Sequence, residues 1–169
     1  MDYKEELLFY IESISTNSVR SIVKEILDKV PETFWTKPSS KNHHHPDERI
    51  EGGNVLHSLR VIKIVQLICD MTDMPIIERD EEIGAAAVHD VMKYGIDGNS
   101  NYILSNHAKI MANWILDNFG GNVHARNISN IVATHMGKWE TPPNSVTISQ
   151  NDILKIADCL SVRDQIDIK

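Results

Sequence analysis

From Val55 to Cys69 the chain repeats apolar residues at helical spacing around much of a helix's girth. Val55, Leu59, Ile62, Val65 and Cys69 form one stripe, and Val61, Ile64 and Ile68 a second. A helix apolar over most of its surface belongs at the centre of a bundle. His57 stands in line with the second stripe. The same placement recurs along the chain. Asp90 aligns with Ala86 and Ile83, His107 with Ile110, Met111 and Trp114, His135 with Ile128, Ile131 and Val132, and Asp158 with Leu154 and Ser161. One inward histidine is ordinarily a hydrogen-bonded core residue. Five helices that each aim a His or Asp into apolar surroundings are a stronger constraint, because buried charge needs a partner and no matching set of inward Lys or Arg exists. A shared metal ion satisfies all of them at once, and a His-plus-carboxylate donor set suits Mn, Fe, Zn, Ni or Co.

The remaining periodicity is also helical. Helices are expected over Tyr3–Ile14, over Ser18–Val30 ended by Pro31, and from an Asn54 N-cap through Cys69. Further helices are expected over Asp80–Lys93, Ser105–Asn118, His124–His135 and Ser149–Ile166. Small residues in Gly84-Ala85-Ala86-Ala87 permit close helix approach. Residues 31–53, rich in Pro, Ser, Asn, His and Gly, read as a long loop, and long ordered loops in compact domains are more often functional than accidental. Ser145–Ile148 is the one strand candidate and is too short to define a sheet. The expectation is an all-α protein: one domain over 1–169, a single compact bundle of about six or seven helices. Residues 1–30 supply N-terminal helices, 31–53 a loop flanking a pocket, and 54–166 the metal-binding core.

Length and charge narrow the function. A chain of 169 residues fits one domain with one sizeable core. A net charge of −7 without a Lys/Arg run argues against binding long nucleic acid. Two cysteines, Cys69 and Cys159, form no CxxC pair and no disulfide framework; both read as buried free thiols in a reducing compartment. The N-terminus MDYKEELLFYIES has no signal-peptide apolar segment, and no apolar run approaches the roughly 20 residues of a membrane span. A cytoplasmic location without membrane contact is expected. The D-x-N-x-N spacing of Asp97, Asn99 and Asn101 lacks the glycine and terminal Glu of a calcium loop, so no calcium site is expected there.

His89-Asp90 is the sharpest local element. Adjacent residues on a helix point about 100° apart, from 3.6 residues per turn, and reach one centre only from two flanks. A carboxylate between two ions bridges them, which makes Asp90 the natural bridge. The order His57, His89-Asp90, Asp158, set in "GGNVLHSLRV", "GAAAVHDVMKYG" and "ILKIADCLSVR", resembles the HD-domain metal-dependent phosphohydrolase superfamily over roughly residues 40–165. The resemblance implies an all-helical fold and a first ion held by His57, His89, Asp90 and Asp158. His107 and His135 fall where two-metal members carry two more histidines, which implies a second ion held by Asp90, His107 and His135. The alternative is a single ion, with His107 and His135 contacting substrate phosphate. Motif order is closest to dinucleoside tetraphosphatases, which share an Arg soon after the last Asp (here Arg163), and to HD-type 3′–5′ exoribonucleases, whose approach to the first ligand resembles "SSKNHHH…GGNVLHS". The nucleic-acid module of those nucleases is missing here, as is the Gly-Tyr-Pro motif of cyclic-di-GMP phosphodiesterases.

The implied function is hydrolysis of a phosphoester or phosphoanhydride, as phosphomonoesterase or phosphodiesterase, on a small phosphorylated substrate such as a nucleotide. A metal-activated hydroxide carries it out, with two divalent ions drawn from Fe, Mn, Ni, Co, Zn or Mg. Asp90, Lys93 and Arg163 are the candidate catalytic residues, and Lys93, His44, His45 and Arg163 the candidate substrate contacts. Lys93 also reads as a surface lysine in a helix's last turn, Arg163 as a surface salt-bridge partner, the His43-His44-His45 triplet as exposed loop, and His124 as a surface residue at a helix start. Trp139 reads as a base-stacking or a packing residue. The competing function is a catalytically silent nucleotide-binding or regulatory module. The sequence leaves oligomeric state open.

Overall fold

The computed structural model describes residues 2–42, 44–136 and 152–163. Among these, eight α-helices and no strand are present: α1 (Tyr3–Glu12), α2 (Asn17–Leu27), α3 (Thr33–Thr36), α4 (Gly53–Met71), α5 (Ile76–Val88), α6 (His107–Phe119), α7 (Val123–Thr134) and α8 (Ile153–Ser161). The all-α expectation holds, with one more helix than expected. The extra element is short α3, which with a 3₁₀ turn at Pro46–Glu48 gives the 31–53 segment local structure of its own. Ser145–Ile148 and Trp139 lie outside the described residues.

Helix α4 takes the central place that its apolar girth requires, packing against α1, α3, α5, α8 and the 3₁₀ turn. Val55, Leu59, Val61, Ile62, Ile64, Val65 and Cys69 are all buried along it. Helix α5 lies against α4, α2 and α7, and Gly84 makes the close approach possible. A Cβ there would come within 2.7 Å of Val23 Cγ2 and 3.2 Å of Ile128 Cδ1. Helix α1 opens with a capping box in which Asp2 and Glu5 each bond the other's backbone N–H. Of the two cysteines Cys69 is buried, whereas Cys159 is exposed, because it lies on the outer side of α8 opposite Ala157 and Leu154.

Several helix boundaries differ from expectation, and two of these bear on function. Helix α4 starts at Gly53 with Gly52 as its cap, so Asn54 is not the N-cap. Its side chain is buried and its Nδ2 instead donates to the Asp90 carbonyl at 3.2 Å. Helix α5 stops at Val88, so His89, Asp90 and Lys93 sit in turns beyond the helix end rather than inside it.

Gly53 is where the flanking loop closes on the core. A Cβ at this position would collide with the carbonyl oxygen of Glu48, and backbone yields less readily than a flexible side chain. Gly53→Ala is therefore expected to destabilise the protein by about 1–3 kcal/mol, the usual range for overpacking. This corresponds to roughly 2–4 °C per kcal/mol for a domain of this size. A thermal melt followed by circular dichroism checks it; an unchanged Tm would show that the loop's seat on α4 is not tight.

Candidate metal centre

Three of the site histidines are aimed by one local device. His89 Nδ1 donates to the Ala86 carbonyl at 2.8 Å, His107 Nδ1 to Leu104 at 2.6 Å and His135 Nδ1 to Val132 at 2.7 Å. Each acceptor lies three residues earlier. His89 and His135 follow the last residues of α5 and α7, where helix carbonyls lack intrahelical partners. His107 is the first residue of α6. The bond fixes the tautomer: with the proton on Nδ1, each Nε2 presents a lone pair inward. All three residues are at most 2% exposed, and the Nε2 atoms of His107 and His135 are buried without a hydrogen-bond partner.

Asp90 lies where these lone pairs meet. Its Oδ2 is 3.2 Å from His57 Nε2 and 3.3 Å from His89 Nε2, while its Oδ1 is 2.9 Å from His107 Nε2 and 3.7 Å from His135 Nε2. His57, on α4, also approaches Asp158 of α8 at 3.0 Å and His89 Nε2 at 3.3 Å. His57, His89 and Asp158 form one group able to hold a metal ion, and His89, Asp90 and His135 another. One oxygen of Asp90 thus faces each half of the cluster. All six expected ligands converge from α4, α6, α8 and the turns that follow α5 and α7.

Electrostatics show how strongly these groups depend on one another. Burial would depress the pKa of His57, but the carboxylates of Asp158, Asp90 and Glu48 more than reverse this and hold it well above the ordinary imidazole range. Burial would raise Asp90. His89, Lys93, His107 and His135 outweigh it and keep the carboxyl ionised well below the usual range. Asp158 is likewise lowered, burial being overcome by its bond to His57. Without an ion, the surrounding carboxylates favour a proton on His57.

The fit to a divalent ion rests on the donors themselves. Inward Nε2 lone pairs and two carboxylates meet in a largely buried site, two of the nitrogens lie near Asp90 without making a hydrogen bond, and N/O sets of this kind take first-row divalent ions.

The other sequence candidates separate. Lys93 is buried, 2.5 Å from Asp90 Oδ2 and 2.9 Å from Ser39 Oγ, so its surface reading is excluded. His44 stacks edge-on against His57 at 4.4 Å between ring centroids, with Nδ1 held by Glu48 at 2.8 Å and Ser39 at 3.0 Å. His45 turns to Asp47 at 2.8 Å, away from the cluster. Arg163 is exposed past the end of α8, and among the described residues no side-chain contact brings it to the site. His124 is not a bare surface residue: it bonds Glu81 at 2.7 Å and Ser18 at 3.0 Å, tying α7 to α5 and α2.

The HD domain sequence profile matches residues 55–163. The chain belongs to the HD domain family. This HD domain thereby falls in a superfamily of metal-dependent phosphohydrolases, and the matched segment spans every candidate ligand from His57 to Asp158. Neither curated proteins nor solved structures yielded a match.

Glu48, just outside the matched segment, carries no motif and reads as loop, yet it is fully buried behind His57. Its Oε2 lies 3.3 Å from His57 Nδ1, and its Oε1 accepts from Arg60 Nη1 at 2.5 Å. Arg60 stands three residues after His57 on α4 and also binds Asp47. Burial would raise the Glu48 pKa, and the bonds to His44, His57 and Arg60 instead bring it down. An outer carboxylate of this kind orients a ligating histidine and raises its basicity.

Two outcomes follow. Glu48→Gln is expected to weaken metal binding about 10–100-fold, read by competition with a chelator; unchanged affinity would reduce Glu48 to a loop anchor. The second concerns pH. The raised pKa of metal-free His57 contributes stability that is full below its unfolded value near 6.5 and lost as pH rises through its folded value. An incoming ion displaces that proton, so the gap in Tm between metal-loaded and metal-free protein should widen as pH rises above 6.5. A constant gap across calorimetric scans from pH 6 to 9 would mean that no proton leaves when the ion enters.

Proposed function

We propose that this HD domain hydrolyses a phosphoester or phosphoanhydride bond of a nucleotide, using two divalent ions. The observation that carries the reading is the buried Asp90 carboxylate, which turns one oxygen to His57 and His89 and the other to His107 and His135. In this reading His57, His89, Asp90 and Asp158 hold one ion, and Asp90, His107 and His135 the other. Divalent ions at such a site lower the pKa of bound water from 15.7 toward about 7 and neutralise charge on phosphoryl oxygens.

The chain's own groups supply positioning and charge. Lys93 presents an ammonium at the centre, with Ser39 fixing its direction, and is placed to meet a phosphoryl oxygen. His44, held through Nδ1, has its pKa lowered to about 4 by burial and by neighbouring His57. It is neutral at physiological pH, and with its proton on Nδ1 toward Glu48 its Nε2 can accept a hydrogen bond from a substrate hydroxyl or a water without adding charge. The apolar shell of α4 and α5 excludes water, so each of these charges acts in a medium of low polarity. Arg163 and His45 have no placed role in this scheme.

The decisive experiment treats the purified protein with Mn, Fe, Ni, Co, Zn and Mg in turn and measures release of phosphate or nucleoside monophosphate from a nucleotide panel. Turnover with at least one ion is expected. Asp90→Ala should abolish it with the far-UV circular dichroism unchanged, and Lys93→Gln should lower kcat/KM by about 10²–10³-fold, the usual cost of losing one charge-stabilising donor. If metal-loaded protein melts higher with nucleotide but cleaves nothing, the silent binding module replaces the hydrolase.

A further inference from the structure

The helices that carry or lead to the candidate ligands line a second cleft away from the metal centre. Seven residues before His89, about 10 Å back along α5 at 1.5 Å per residue, lies Glu82. Ile131 stands one turn before His135 on α7, and Ile153 opens α8 ahead of Asp158. Together with the C-terminal end of α4 these residues line a cavity of about 680 Å³. This is within the range of small-molecule sites, roughly 300–1,000 Å³. The site has no residue in common with the metal centre.

Its chemistry is one-sided. Glu78, Glu81, Glu82 and Asp73 line it, and among the described lining residues there is no Lys or Arg. Glu81 is engaged by His124 and Asn127. Glu82 is not so provided for. It is 4% exposed, and its Oε2 is buried with no hydrogen-bond partner. The carboxyl has help from the Leu154 backbone N–H at the start of α8, but burial outweighs that bond and, with Glu81 adding to it, pushes the Glu82 pKa up to about 8. A carboxylate in such surroundings lacks the cation that would make its ionisation inexpensive. The carboxylates here do not converge as a metal-holding group, and apolar Met74, Ile131 and Ile153 share the lining with them. That combination suits a charge carried on an aliphatic stem.

We propose that this cleft binds a small organic cation, an ammonium or guanidinium group on a short aliphatic chain, with Glu82 as its counter-ion. The inference stands apart from the hydrolase reading, since its evidence lies outside the metal site.

The test is an NMR titration at pH 7 of the natural chain with butylammonium, butylguanidinium and, as the uncharged counterpart, butanol, at equal ionic strength. The cations are expected to give saturable shifts at the methyl groups of Ile131 and Ile153, with butanol at least tenfold weaker. Glu82→Gln should weaken the cations at least tenfold and leave nucleotide hydrolysis unchanged. Equal response to butanol and butylammonium would make the cleft merely apolar and overturn the proposal. So would unaltered binding to Glu82→Gln, or no saturable shift with any probe. The comparison of amine with alcohol uses only the natural chain, so it decides the matter even if the variant folds poorly.

Discussion

A carboxylate taken out of water must be met by positive charge or by several donors, and Asp90 is almost wholly taken out of water. The rest of the site follows from that constraint. Four imidazoles and an ammonium lie within 3.7 Å of its two oxygens. They can do so because helix ends, rather than helix middles, are brought to this point. The last turn of a helix, at His89 and His135, and the loop that leads into one, at His107, each offer a carbonyl three residues back to accept from Nδ1, so one geometry both uses backbone and aims a ring. His89, His107 and His135 each use it, and each is left with an inward lone pair.

His57 is the exception, and its surroundings show why the flanking loop belongs to the site. Sitting within α4, it has no free carbonyl to hold its Nδ1. Glu48 and Ser161 approach that nitrogen instead, each at 3.3 Å. Glu48 can be fully buried only because Arg60 and His44 bond it and because Gly53 lets its backbone press against the start of α4. Loop, glycine, arginine and ligand form one arrangement in which a surface segment supplies the carboxylate that an inner helix cannot.

Which parts were legible in the sequence has a physical explanation. The six ligands stood out because His and Asp in apolar periodic runs are costly unless partnered, and that cost is visible in one dimension. Helix existence was legible for the same reason. The end of α5 was not, since the apolar pattern continues through Val91 and Met92, which remain buried after the helix has stopped. Asn54 read as a cap because its type favours one, yet tertiary contact with the Asp90 carbonyl took precedence. Glu48 was invisible because nothing about a glutamate in a Pro- and His-rich loop announces burial; only the packing of that loop on α4 creates it. Arg163, read from its spacing after Asp158, is exposed because α8 ends at Ser161 and the chain leaves the site before reaching it.

Two buried acids on and just beyond α5 pose the same electrostatic problem with different answers. Past the helix's C-terminal end Asp90 has Lys93 and the protonated form of His57 within reach, so the carboxylate stays ionised without any added cation. An ion held by these residues would compete with the proton on His57 and with the ammonium of Lys93 for Asp90, and in the proposed hydrolase that would leave Lys93 to meet a phosphoryl oxygen. Midway along α5 Glu82 has no such cation among the described residues, and its pKa rises instead of falling. The organic cation proposed for that cleft would supply from outside the positive charge that Lys93 and His57 supply to Asp90 from within.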